Sequence, residues 1–117
     1  MPVTDRLVRA IEEEYRRLLR RQEAHAPRSG EIPIGGGEWM DSHFKAEGLR
    51  GVLAGLRAGK GILEAIEEGV DTYLTAVLIW NSRREYQVRR TTNRGCIRES
   101  IRHHITLARY RKDNVPY

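Results

Sequence analysis

The chain has no apolar run long enough to cross a membrane. Its longest candidate, Leu74–Trp80, falls far short of the ~18 residues that a spanning helix needs, and no membrane partner is expected. It has one cysteine, Cys96, so an intrachain disulfide is excluded and a reduced, cytoplasmic setting is expected. It lacks a signal-peptide pattern, because Asp5, Arg6 and the Glu12–Glu13–Glu14 run lie where an apolar stretch would have to be. Metal-ligating patterns are missing as well. No Cys-x-x-Cys, His-Glu-x-x-His or Glu-x-x-His occurs, and Cys96 and His103 share a helical face too far apart for one ion. His104 lies on an apolar arc and reads as a core residue whose polar atoms are satisfied. No nucleophile stands beside a base in sequence, and the glutamate run is flanked by arginines on a solvated helix. Tyr15, Trp39, Trp80 and Tyr86 read as core or interface side chains. The expectation is a protein without catalytic residues, metal or cofactor.

What is present suits one small soluble domain. The 117 residues can bury a core without help from metals or disulfides, and 32% of them are charged. The net charge of +5 is unevenly spread. Between residues 83 and 112 stand ten basic residues, Arg83, Arg84, Arg89, Arg90, Arg94, Arg98, Arg102, Arg109, Arg111 and Lys112, against Glu85 and Glu99, a net of +8. The rest of the chain carries eleven basic and fourteen acidic residues, a net of −3. An asymmetry of this kind points to a polyanionic partner for the basic C-terminal region.

Hydrophobic periodicity predicts an all-α fold, a small bundle of about four helices in a single domain spanning residues 1–117. The first helix is expected from about Asp5 to about Ala24, with Leu7, Val8, Ile11, Tyr15, Leu18 and Leu19 on one face and Thr4 or Asp5 as cap. Pro27, Ser29, Gly30, Pro33 and Gly35–Gly36–Gly37 then make residues 26–38 a flexible loop or linker. The triple glycine is not a phosphate-binding loop, since no strand precedes it and no Gly-Lys-Ser/Thr follows. A second helix is expected from about Met40 to about Ala58, capped by Asp41 or Ser42, with Leu49, Val52, Leu53 and Leu56 inward. Beside that face Gly48, Gly51, Gly55 and Gly59 recur at helical steps. Each costs about 1 kcal/mol of helix propensity against alanine, so together they imply a close backbone approach by another helix, of this chain or of a second copy. Self-association through Gly48, Gly51 and Gly55 is therefore one expectation. The stretch from Gly55 to Gly61 looks like a Walker loop only by eye and reads as a helix C-cap and turn.

From Ile62 onward helical spacing continues, with Gly69 as an interruption. Two alternatives follow. Either one long helix runs to about Arg90, or a turn at Gly69 splits it. The second alternative resembles a helix-turn-helix, with Ala65 as the small residue and Tyr73–Trp80 as recognition helix, although Thr75 departs from that pattern. Residues 86–92 are the only stretch that hints at strand alternation. Thr91, Thr92, Asn93 and Gly95 mark a break, and a last helix is expected from about Gly95 to Arg111.

That last helix carries the strongest candidate site. Arg94, Arg98, Arg102, Arg109 and Lys112 fall within an arc of about 80°, and Arg90 extends it backward. Ile97, Ile101, His104 and Ala108 form the neighbouring apolar arc. Guanidinium groups in a row offer planar, permanently charged donors to phosphates, so a nucleic-acid partner, DNA or RNA, is expected on this ridge. The competing expectations are an assembly subunit of a homo-oligomer, virion or larger complex, and a small accessory subunit of an enzyme.

Overall fold

A computed structural model describes residues 3–26, 37–83 and 90–114. The described residues form four helices, α1 (Val3–Ala24), α2 (Glu38–Arg57), α3 (Ile62–Asn81) and α4 (Arg94–Asn114), and no strand. The expected all-α bundle is what the chain forms. The glycine- and proline-rich segment at 27–36, and residues 84–89 with most of the hinted strand, lie outside the described residues.

α2 is the hub, in contact with α1, α3 and α4. It is buried on almost every side, through Met40, Phe44, Ala46, Leu49, Val52, Leu53 and Leu56. A strip through Arg50, Ala54 and Arg57 stays exposed, which suits a helix packed against several neighbours. α1 covers it with Ile11 and Leu18, α3 with Ala65, Ile66, Val70, Tyr73 and Val77, and α4 with Ile97, Ile101 and Ile105.

The start of α2 differs from expectation. Its N-cap is Gly37, which gives no side-chain hydrogen bond, and Asp41 and Ser42 lie within the first turns and accept from Arg21 instead. Its end closes as the sequence suggests. The Lys60 N–H donates to the Gly55 carbonyl at 3.0 Å and the Gly59 N–H to the Leu56 carbonyl at 3.1 Å. Gly59 takes φ +85°, the left-handed conformation that this double hydrogen-bonded cap requires. The chain then folds straight back into α3, with Gly61 as N-cap.

α3 is continuous through Gly69, so there is no turn at that position and no helix-turn-helix built on it. Nor does the helix reach Arg90; it ends at Asn81. The contacts between α2 and α3 run antiparallel, from Gly48 beside Gly69 and Tyr73 to Gly55 beside Ala65. A Cβ on Gly69 would lie 2.6 Å from both the Gly48 carbonyl oxygen and Val52 Cγ2. One on Gly51 would lie 2.8 Å from the Glu68 carbonyl oxygen and from Gly69 Cα, and one on Gly55 2.9 Å from Ala65 Cα. These neighbours are mostly backbone and cannot swing aside. The close approach expected from Gly48, Gly51 and Gly55 is therefore met inside the chain, by α3 and by Ile101 of α4. These three buried glycines offer no surface to another copy.

The seam has a measurable sign. In an isolated helix, Gly51→Ala and Gly69→Ala would each add just under about 1 kcal/mol of propensity. Here each should destabilise by about 1–3 kcal/mol net, because added methyls in a tight contact force the helices apart. Thermal unfolding should show a loss of several degrees for each variant, and an unchanged or raised melting temperature would mean that the helices are not in this contact.

Candidate phosphate-binding surface

The arginine ridge divides into three parts. Arg90 precedes α4 and is half-buried. Its Nη2 donates to the Tyr73 hydroxyl at 3.2 Å, lies 3.6 Å from Asp41, and its guanidinium stands 5.2 Å from the Phe44 ring centre. The Asn81 side chain holds the Arg90 backbone at both ends, donating from Nδ2 to its carbonyl and accepting from its N–H. Arg90 thus pins the α3–α4 connection to the core, and the structure does not bring it into the ridge.

Arg94 and Arg98 lie on α4 where the helical arc puts them, but they face acids on α3. Arg94 reaches Asp71 at 2.8 Å and Glu67 at 3.2 Å, and Arg98 Nη2 donates to Glu67 at 3.1 Å. Hydrogen bonds from Arg98 and Arg94, together with their charges, hold the Glu67 carboxyl below its ordinary range. The first half of the ridge is therefore balanced within the chain. Arg102 and Arg109 are exposed, and neither has an ion-pair partner among the described residues. They stand seven residues apart on the outer side of α4, about 10 Å along the axis. The Lys112 side chain lies outside the described residues.

A second cluster was hidden in the sequence. The Glu12–Glu13–Glu14 run reads as part of a solvated helix, yet Glu14 is 2% exposed. It lies on the same helical line as Leu7, Ile11 and Leu18, which is the signal that would have marked it as inward-facing. Arg17 forks onto it, Nε to Oε1 at 2.8 Å and Nη2 to Oε2 at 3.0 Å. Arg111 donates to Oε1 from α4, and His104 Nδ1 lies 3.1 Å from Oε2. Burial alone would raise the Glu14 carboxyl. The hydrogen bonds from His104 and Arg17 and the charges of Arg17 and Arg111 outweigh it and hold the pKa at about 2. His104 is buried, as its place on the apolar arc suggests, but only half satisfied: its Nε2 has no hydrogen-bond partner among the described residues.

Among the described residues there is no group of three or more His, Cys, Asp or Glu side chains placed to hold a metal ion. No helix among them is long and apolar enough to cross a membrane. Compared with models of protein families, with curated proteins and with solved structures, the chain has no significant match in any of the three.

The Glu14 cluster ties α1 to α4 and makes stability depend on acid. A folded-state pKa near 2, below the ordinary 4.5, gives a contribution present in full above about pH 4.5 and lost as pH falls toward 2. The loss should be on the order of 2–3 kcal/mol. Glu14→Gln should cost a similar amount at pH 7 and make the acid-dependent limb shallower by that amount, leaving the part that Asp41 and Glu67 contribute. Denaturant unfolding of both proteins between pH 7 and pH 2 measures this, and parallel pH profiles would show that Glu14 is not the titrating group.

Proposed function

We propose that the protein is a non-catalytic nucleic-acid-binding helical protein that contacts phosphates through the outer face of α4. The observation that carries this reading is the pair of exposed guanidiniums, Arg102 and Arg109, with no acidic partner among the described residues. An arginine matched to an exposed carboxylate has much of its charge balanced at the surface, and one without a partner presents its full charge and all its donors to a phosphate. The contact surface is therefore centred on Arg102 and Arg109 rather than spread over Arg90, Arg94, Arg98, Arg102, Arg109 and Lys112. Arg94 and Arg98 border it as a half-neutralised margin.

Binding to unrelated DNA and RNA duplexes, measured across a salt series, tests this directly. Arg102→Gln with Arg109→Gln should weaken affinity and flatten the salt slope by nearly two phosphate contacts, about 0.9 each on duplex DNA. Arg94→Gln with Arg98→Gln should lower the slope by less than half of that change. Equal effects from the two pairs would refute the division of the ridge, and no effect from either would refute the surface.

A second reading, assembly into a homo-oligomer or larger complex, is favoured by a different observation. Leu78 and Ile79 of α3 are 53% and 62% exposed, with Leu74 one turn before them. Exposed aliphatics at successive positions near a helix end leave an apolar surface uncovered, which is a mark of a protein contact. Under this reading Leu78→Lys with Ile79→Lys lowers the mass measured by light scattering at constant helix content. An unchanged monomeric mass for both proteins would leave only the nucleic-acid reading.

A further inference from the structure

Between α1 and α4 lies a cavity of about 190 Å³ lined by Ala10, Glu13, Glu14, Arg17, Arg20, Ala108 and Arg111. The two alanines keep side-chain bulk out of the space between the helices. The polar lining is three guanidiniums against two carboxylates, and the electrostatics are uneven. Glu13 is exposed, and Glu14 is buried with its acceptor sites taken up by Arg17, Arg111 and His104, so the lining carries one net positive charge and the donors left over belong to the arginines. Arg17 spends Nε and Nη2 on Glu14, leaving Nη1 free of that carboxylate, and Arg111 spends only Nη1. Arg20 is exposed, with no ion-pair partner among the described residues. One buried carboxylate thus holds two arginines in fixed orientation with donors to spare, and a third arginine stands beside them.

We infer that this cavity is an anion site for a phosphoryl group, held by Arg17, Arg20 and Arg111 with Glu14 as the positioning residue. Guanidinium groups favour a phosphoryl group, whose several oxygens can accept from separate donors at once. Orientation by Glu14 matters because arginines fixed in advance lose less side-chain freedom on binding. The inference deepens the nucleic-acid reading if the phosphoryl group belongs to a backbone, and it is independent of that reading if the group belongs to a small phosphorylated molecule. The site lies on the α1 side of α4, whereas Arg102 and Arg109 lie on its outer face, so the two can be separated by mutation.

Two probes are used on the full chain at low ionic strength, inorganic phosphate and a short oligonucleotide duplex, each titrated calorimetrically. Arg20→Gln is the primary variant, since the exposed side chain can be changed without touching the core; Arg111→Gln is the second, with circular dichroism to establish that it folds. Each should weaken binding of at least one probe about tenfold, the loss of one charge-assisted hydrogen bond. Sensitivity with both probes, or with the duplex alone, assigns the cavity to the nucleic-acid backbone. Phosphate binding that falls in the variants, in a protein with no affinity for the duplex, supports the cavity and overturns the nucleic-acid reading. If neither probe distinguishes the folded variants from the parent, the anion site is wrong, whatever Arg102 and Arg109 do.

Discussion

The close approach of α2 and α3 is the constraint on which the rest of the structure rests. Gly51, Gly55 and Gly69 remove the side chains that would hold the two backbones apart, and Ala65 adds only a methyl. The seam draws α3 against α2 along several turns, and Ile101 of α4 then reaches both Gly48 and Gly69. α1 closes the opposite side of α2. Propensity lost at each glycine is recovered in contact, because interiors packed to crystal-like density gain dispersion energy wherever surfaces meet without voids. α2 can be buried on nearly all sides only because one of its faces has no side chains to bury.

Charge follows from that packing. Once α4 lies against α3, Arg94 and Arg98 come within reach of Glu67 and Asp71, and once α4 lies against α1, Arg111 reaches Glu14. Asp41 draws in Arg21, Lys45 and Arg90, and although burial pushes its carboxyl up, the hydrogen bonds from Lys45 and Arg21 leave it below its ordinary range. A C-terminal region with ten basic residues between 83 and 112 therefore presents a smaller cationic surface than its composition implies.

Much of the fold was legible in the sequence because it is written in short-range patterns. Periodic Leu and Ile place α1 and α4 to within a few residues, and Gly59 with Lys60 marks the end of α2 by local chemistry alone. The errors have one origin, contacts between residues far apart in sequence. Gly69 reads as a turn or a defect within its own helix and is explained only by Gly48 and Val52 across the seam. Gly48, Gly51 and Gly55 announce a close neighbour without naming it, so a partner copy was as good a candidate as α3. Glu14 lies on the inward line of α1, but the reason an acid is tolerated there sits on α4. The arginine arc on α4 is correctly drawn, yet the acids that neutralise half of it belong to α3.

The pairing of the first helix with the last has a kinetic consequence. α2 and α3 are joined by a four-residue connection and meet through neighbours close in sequence, so their hairpin closes at small entropic cost. The Glu14–Arg111 contact spans 97 residues and Glu14–His104 spans 90, and both need the whole chain in place before they form. Folding order should follow this separation, the glycine seam forming early and the α1–α4 clasp last. The charge cluster then belongs to the unfolding barrier more than to the folding one: it sets how long the native state lasts once made, and has little say in how fast it is reached.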